Sequence, residues 1–165
     1  MSDDLCYMSA KEALTRFRDR SLSPVELAQA VIARGEAVGG LNGAFTQTYF
    51  NEAMEAARAA EAAYDAGEAR PLEGLLTAIK EDKGVAGKPT SAGSVLFKDN
   101  VAGGDALPVG RIRAAGGIIH ARTNICEMGT AGITGSKLQP PTANPWNRNY
   151  NSGGSSGGAA AALAL

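Results

Sequence analysis

The stretch Leu75-Leu-Thr-Ala-Ile-Lys80 is a short, mostly apolar run that predicts a buried strand and places a lysine at its end. A helix is predicted over residues 105–115, and Gly116-Gly117 should stop it. The run Ile118-Ile-His-Ala121 then predicts a second strand of four residues. A strand, a helix and another strand in this order are typical of α/β proteins. The sequence therefore predicts an α/β fold with a largely parallel sheet.

The residues before this core predict a helical segment. Ser9 and Glu12 have the spacing of a capping box, in which a serine and a glutamate satisfy each other's backbone amides. Ser23-Pro24-Val25-Glu26 repeats the pattern, with a proline at the first helical position. We expect an N-terminal helical segment over 1–70 and the first part of an α/β core over 71–165. The predicted elements of the segment are a helix behind Ser9, a helix from Pro24 to Gly39-Gly40, a short strand within 43–49, and a helix over 51–66 that ends at Gly67.

The composition excludes several classes of function. The 165 residues carry 16 Lys and Arg against 17 Asp and Glu, so the basic surface of a nucleic-acid-binding protein is not expected. No apolar run approaches the ~18 residues that a membrane span needs, and the N-terminus lacks the basic residues of a secretory signal. Two cysteines and one histidine offer no metal cluster. We therefore expect a cytoplasmic, metal-free globular protein.

The segment Gly153-Gly-Ser-Ser-Gly-Gly158 is unusual, and it runs into an alanine-rich helix start. Glycines allow positive φ and close approach of the backbone, and amides at a helix N-terminus attract negative charge. The hydroxyls of Ser155 and Ser156 would lie where developing negative charge can be stabilised. A flexible glycine/serine turn is an alternative interpretation. A phosphate cradle is another, although the segment has no lysine and its glycine spacing does not fit a P-loop.

Lys80 is the second candidate because it follows an apolar strand. Burial disfavours the ammonium form of a lysine, so a lysine at a strand end can serve as a neutral proton acceptor. Combined with a serine loop, it suggests a Ser–Lys arrangement for activating a serine nucleophile. The alternative is a solvated lysine in a charged cluster with Glu81, Asp82 and Lys83.

Four other residues are assigned structural roles. His120 lies within an apolar strand and is expected to be a packed or edge residue rather than a base. Cys126 has no partner cysteine nearby, so we expect a buried or inert thiol. Glu127 is expected to cap or anchor a loop, and Trp146 is expected to anchor its own loop.

Four blocks in the second half of the chain resemble the amidase signature family, in the family's order and close to its spacing. The resemblance runs from near Gly74 to Leu165. The blocks are Leu75–Lys80 followed by Gly87–Ser94; Asp105–Asn124 with Glu127 after it; Asn144-Pro145-Trp146; and Gly153–Gly158. The sequence departs from the family's usual pattern at Glu81, Leu76, Tyr150 and Ser152, where Asp, Pro, Arg and Pro are common.

The resemblance implies a fold and a chemistry. The fold would be α/β with a central mixed β-sheet covered by helices on both faces, of which this chain is the N-terminal part. The reaction would be hydrolysis of a carboxylic amide to carboxylate and ammonia, through a Ser-Ser-Lys triad and an acyl-enzyme. Lys80 would be the catalytic lysine and Ser155 the bridging serine, whose peptide bond in the family is cis. The supporting residues would be Ser156, Gly153, Gly154 and Thr130.

The resemblance also places the nucleophilic serine in a later Gly-Gly-Ser. Since the sequence reaches Leu165 inside an apolar helix start, we expect it to be truncated before that nucleophile, and the 165 residues by themselves to be inactive. No metal or organic cofactor is implied, and the expected partner is a small-molecule amide, with neither nucleic acid nor membrane. A homodimer remains open. So do two alternative functions: an A-type subunit of a glutamyl-tRNA amidotransferase, and a non-catalytic module that binds an anion or a partner.

Overall fold

The computed structural model describes residues 5–165, apart from the side chains of residues 39–41. The chain forms two compact units. The first comprises Met1–Ala37, Tyr49–Thr77 and Arg111–His120, and the second comprises Val38–Thr48, Ala78–Gly110 and Ala121–Leu165. This grouping differs from the segments 1–70 and 71–165, whose boundary stays a prediction. The elements are α1 (Ala10–Arg18), α2 (Pro24–Asn42), β1 (Phe45–Thr48), α3 (Phe50–Ala66), β2 (Leu76–Lys80), α4 (Leu107–Ala114), β3 (Ile118–Thr123) and α5 (Gly157–Ala164), with 3₁₀ turns at Val95–Phe97 and Glu127–Gly129.

Both helix starts predicted from the capping pattern are confirmed. The Ser9 hydroxyl accepts a hydrogen bond from the Glu12 amide at 3.2 Å, which starts α1. At the start of α2 the Ser23 hydroxyl accepts from the Val25 amide at 2.9 Å, and the Glu26 carboxylate accepts from the Ser23 amide at 2.9 Å. These bonds satisfy amides that the first turn of a helix leaves without partners.

The predicted end of α2 at Gly39-Gly40 is wrong, because the helix continues to Asn42. A glycine inside a helix costs only about 1 kcal/mol relative to alanine, which the surrounding structure can offset. The chain leaves the helix at Gly43, whose φ of +63° is the left-handed conformation that glycine adopts readily. The predicted end of α3 is confirmed, since Gly67 has φ +74° and caps the helix.

Among the described residues of the first unit, buried apolar side chains form two clusters. Phe17 of α1 packs against Tyr64 of α3, with ring centroids 5.8 Å apart. Ala28, Ala53 and Ala57 form the second cluster with Ile118. The small alanines allow close packing of these helices, since each is no more than 1% exposed.

The strands form one sheet in the order β1-β3-β2. β1 runs antiparallel to β3, with a register shift between Phe45 and Gln47. β2 runs parallel to β3, since the Ile118 amide donates to the Leu75 carbonyl and the Glu81 amide donates to the Thr123 carbonyl. The sheet is therefore mixed, as the family resemblance implies, rather than largely parallel as strand order alone suggests.

Two element bounds differ from the prediction for physical reasons. β3 has six residues instead of four, because Arg122 and Thr123 also pair with β1, opposite Gln47 and Phe45. α4 begins at Leu107 rather than residue 105, because the Asp105 carboxylate is used outside the helix, where it accepts from the Ala86 amide at 2.7 Å. None of the described helices is long and apolar enough to cross a membrane.

Candidate active site

Lys80 and Ser155 lie side by side although 75 residues separate them in the sequence. Lys80 is the last residue of β2, and its Nζ donates a hydrogen bond to Ser155 Oγ at 2.8 Å. An amine and a hydroxyl at this distance can pass a proton between them in either direction. This contact does not fit the alternative of a Lys80 that is only solvated.

The loop before α5 presents Ser155 to this lysine. The Gly154–Ser155 peptide bond is cis, as the family resemblance implies. A Cβ at Gly154 would lie 2.8 Å from the backbone of Ile133, so only glycine fits there. Gly153 has φ +79°, and a Cβ there would meet open space. Glycine is therefore required at position 153 by the backbone conformation, whereas it is required at position 154 by the lack of space for a side chain.

Ser156 has a different position from Ser155. It is the N-cap of α5, its side chain makes no capping hydrogen bond, and its carbonyl accepts from the Ala160 amide. The helix start is held instead by Thr134, whose buried hydroxyl accepts from the Gly157 amide at 2.8 Å. A Cβ at Gly157 would lie 2.5 Å from that hydroxyl oxygen. Close packing of this kind does not suit a flexible glycine/serine turn.

Glu81 shapes the loop that follows Lys80. The residue is only 3% exposed, so the charges after Lys80 do not form one solvated cluster. Its carboxylate accepts from the Ser91 amide at 2.5 Å, the Ser91 hydroxyl at 2.9 Å and the Gly93 amide at 3.2 Å. Lys83 is more exposed, and its ammonium pairs with Asp82 at 2.8 Å. In the sequence Glu81 stands out only as a departure from the family's pattern, and nothing there indicates this role.

The loop that Glu81 holds is joined to the turn after β3. The Ser94 hydroxyl donates to Glu127 Oε1 at 2.7 Å, which confirms Glu127 as a loop anchor. The Met128 amide donates to the Ala92 carbonyl at 2.7 Å. A Cβ on the adjacent Gly129 would lie 3.8 Å from Ser155 Oγ, so this turn borders Ser155.

The same two loops hold backbone conformations that are uncommon for residues with side chains. Ala92 has φ +51° and Met128 has φ +52°. Such conformations are often found near functional sites, where surrounding contacts maintain them. Nothing in the sequence distinguishes an alanine or a methionine that will adopt them.

Thr130 and Cys126 have local partners. The Thr130 hydroxyl donates to the Glu127 carbonyl at 2.9 Å, so its supporting role toward Ser155 stays a prediction. Cys126 is 1% exposed, and its sulfur lies 3.2 Å from both the amide nitrogen and the carbonyl oxygen of Ala131. The prediction of a buried thiol is confirmed.

His120 is buried, as expected of a packed residue, and this burial lowers its pKa to about 4. The expectation for Trp146 is wrong, because the residue is 82% exposed. Its loop is held by Asn144 instead, whose side-chain oxygen accepts from the amides of Trp146 and Asn147 at 2.9 and 3.3 Å. Asparagine forms this turn locally, without an aromatic anchor.

Comparison with known proteins identifies the family. Residues 26–165 match the Amidase family. The chain is 39% identical over 165 residues to an acylamidase of Rhodococcus erythropolis, covering 98% of this chain and 34% of that protein. It is 36% identical over 162 residues to the A-type subunit of the glutamyl-tRNA(Gln) amidotransferase of Anaeromyxobacter sp. (strain K), covering 98% of this chain and 33% of that protein.

A solved structure of a bacterial aryl acylamidase, described as an amidase signature enzyme, superposes with a TM-score of 0.87. The sequence identity is 30%, and the match covers 94% of this chain and 33% of that one. The chain therefore spans about one third of the length of these relatives. Because the family match includes most of the sequence and the folds agree, the chain belongs to the amidase signature family.

Proposed function

We propose that this chain carries the proton relay of an amide hydrolase, with Lys80 and Ser155 as its two members. The observation that carries the proposal is the 2.8 Å hydrogen bond between Lys80 Nζ and Ser155 Oγ. Membership of the amidase family and similarity to an acylamidase support the reaction class. The nucleophile in this proposal is a further serine, which the family resemblance places in a later Gly-Gly-Ser.

In the proposed relay a proton moves toward Lys80 when the nucleophile attacks and back to the leaving nitrogen when the amide bond breaks. Neutral Lys80 accepts a proton from Ser155, and Ser155 accepts one from the nucleophilic serine as its oxygen attacks the amide carbon. When the carbon–nitrogen bond breaks, the proton returns through Ser155 to the leaving nitrogen. Water then attacks the acyl-enzyme and gives a proton through Ser155 to Lys80. The proton returns through Ser155 to the nucleophilic serine as the carboxylate is released. None of these steps calls for a metal or an organic cofactor.

The supporting residues have distinct tasks in this proposal. Gly153 and Gly154 allow the backbone path that brings Ser155 to Lys80, and Ser156 is the N-cap of α5. Gly129 borders Ser155 Oγ, and Thr130 follows it in the same turn. The substrate would be a small carboxylic amide, and we propose a cytoplasmic enzyme.

A second candidate is favoured by one comparison. The chain is 36% identical to an A-type subunit of glutamyl-tRNA(Gln) amidotransferase, close to the 39% found for the acylamidase. The same relay would then release ammonia from an amide donor for transfer within a complex. Lys80 and Ser155 would keep their roles, and only the acceptor of the ammonia would differ.

The test is an assay of the full-length protein with a simple aryl amide, an aliphatic amide and glutamine. Each substrate is tried alone and with the companion subunits of a bacterial glutamyl-tRNA(Gln) amidotransferase. Turnover of a simple amide by the protein alone supports the hydrolase. Turnover of glutamine only in the presence of the companions supports the second candidate. A folded full-length protein that hydrolyses none of them would overturn both and favour a binding module.

A further inference from the structure

Arg122 of β3 is a cation with no exposed surface, and it lies beside the carboxyl end of β2, the strand that ends at Lys80. It is 0% exposed and is the largest fully buried side chain among the described residues. Its guanidinium has four acceptors: the carbonyls of Glu81 (2.6 Å), Lys83 (2.8 Å) and Pro89 (3.1 Å), and the Thr90 hydroxyl (3.4 Å). All four acceptors are neutral, so these bonds pair the buried guanidinium with three backbone carbonyls and one hydroxyl and are not ion pairs.

The two terminal guanidinium nitrogens bind acceptors on two different segments of the chain. One nitrogen, Nη2, donates to Glu81 and Lys83, which lie on the turn immediately after Lys80. The same turn is closed by the Lys83 amide, which donates to the Lys80 carbonyl at 3.0 Å. The other nitrogen, Nη1, donates to residues 89 and 90. Arg122 therefore fastens the backbone on the carboxyl side of Lys80 to the segment that leads into the Ser91–Ser94 loop.

We infer that Arg122 is a positioning residue: by holding the turn at Glu81 and Lys83, it sets where Lys80 Nζ lies relative to Ser155 Oγ. The inference rests on the proposed function for its effect on catalysis, but its geometric part does not. Lys80 is fixed on its amino side by the β2–β3 pairing and on its carboxyl side by this turn. Proton transfer depends steeply on donor–acceptor distance, and misplacement by about 1 Å can cost ~100-fold in rate.

The guanidinium is suited to this task in a way that a lysine ammonium is not. Its planar fork presents donors in two fixed directions, so one side chain can serve two segments at once. An ammonium offers three donors from a single atom, which can reach one segment but cannot hold both. Replacement by lysine therefore keeps the charge and removes the shared attachment.

The test compares Arg122→Lys with Arg111→Lys in the full-length protein, because Arg111 is an exposed arginine given the same replacement. For Arg122→Lys we expect kcat per folded molecule to fall ~10- to 100-fold with little change in KM, since ground-state binding is untouched. Arg111→Lys should leave both values as in the parent. A purely structural role would lower stability and the folded amount without changing kcat per folded molecule, and that result would overturn the inference.

A second readout does not require amidase activity. The rate at which acetic anhydride acylates Lys80 is measured by mass spectrometry relative to the exposed Lys98 in the same molecule. We expect this ratio to rise in Arg122→Lys, because Nζ is no longer held against Ser155, and to stay constant in Arg111→Lys. An unchanged ratio in a folded Arg122→Lys protein would overturn the inference. If the parent hydrolyses no amide, the proposed function fails, but this ratio still decides the position of Lys80.

If Arg122→Lys does not fold, a measurement on the parent protein replaces it. Exchange of the guanidinium protons with solvent is followed by NMR for Arg122 and Arg111. Much slower exchange at Arg122 supports the attachment to the turn. Exchange as fast as that of Arg111 would show that the attachment is not formed.

Discussion

Gly158, the second residue of α5, lies against the backbone of Asn124, the residue after β3. A Cβ on Gly158 would stand 2.6 Å from the Asn124 carbonyl oxygen and 2.7 Å from the Ala44 carbonyl oxygen. Atoms at such distances must move apart, and these belong to backbone that carries its own hydrogen bonds, including the Asn124 amide to the Ala44 carbonyl at 2.8 Å. The start of α5, and with it the Ser155 loop, is therefore positioned by the end of β3.

Gly158→Ala should destabilise the protein through this contact. We expect a loss of about 1–3 kcal/mol in the free energy of unfolding, as is typical of overpacked sites. Denaturant unfolding measures the loss, and Gly103→Ala is the matched control because a Cβ there meets nothing within 4 Å. Equal stability of the two variants would contradict the close approach of Gly158 to Asn124.

Lys80→Ala should lower kcat for amide hydrolysis in the full-length protein by at least ~100-fold, since it removes the proposed proton acceptor. Lys80→Arg should be nearly as damaging, because a guanidinium does not lose its proton at working pH. The measurement is steady-state kinetics, with unfolding followed in parallel to show that each variant is folded.

Lys98→Ala is the matched control for these replacements, since Lys98 is exposed and its ammonium lies 3.7 Å from the exposed Asp99 carboxylate. Its kcat should equal that of the parent. Near-parental kcat in Lys80→Ala would remove Lys80 from the relay. A serine-directed covalent inhibitor that labels Ser155 itself would show that Ser155 is the nucleophile rather than the bridge.

His120 should make stability depend on pH in the mildly acidic range. Burial lowers its pKa to about 4 from an ordinary value of 6.5, so the unfolded chain takes up a proton at a pH where the folded chain does not. The free energy of unfolding should therefore be unaffected above pH 6.5 and fall as the pH drops from 6.5 toward 4. The loss is about 3 kcal/mol over that range.

His120→Gln tests this dependence because it removes the titrating group. Denaturant unfolding at a series of pH values should give a smaller slope for the variant than for the parent between pH 6.5 and 4. Parallel curves would show that His120 is not responsible, and the constant difference between them would then measure only the packing cost of the replacement.

Glu73 should make the free energy of unfolding depend on pH in a more acidic range than His120 does. Arg70 donates to its carboxylate at 2.5 and 2.9 Å, and these hydrogen bonds hold the pKa of Glu73 below its ordinary value of 4.5. The folded state thus favours the carboxylate, and this stabilisation is fully present above pH 4.5. It is lost as the pH falls through the lowered pKa. Glu73→Gln should be less stable than the parent at neutral pH, and the difference measured by unfolding should shrink in acid.

The helix starts and the strand that carries Lys80 could be predicted from the sequence. The capping bonds of Ser9 and Ser23 join atoms within three residues, so their pattern is readable along the chain. The left-handed end of α3 at Gly67 is equally local. The residue types of Lys80 and Ser155, their places at the ends of predicted elements and the family resemblance are enough to predict both as site residues.

The arrangement of the site was decided by contacts between distant segments. Lys80 meets Ser155 across 75 residues, and Arg122 is buried because carbonyls from residues 81–89 surround its guanidinium. Nothing in the sequence distinguishes Arg122 from a surface arginine, and the sequence predicts Trp146 as the anchor of its loop although it is exposed. Burial depends on which segments the fold brings together, whereas a cap depends only on its neighbours in the chain, and this is why local reasoning predicted the helix starts but not the surroundings of Lys80.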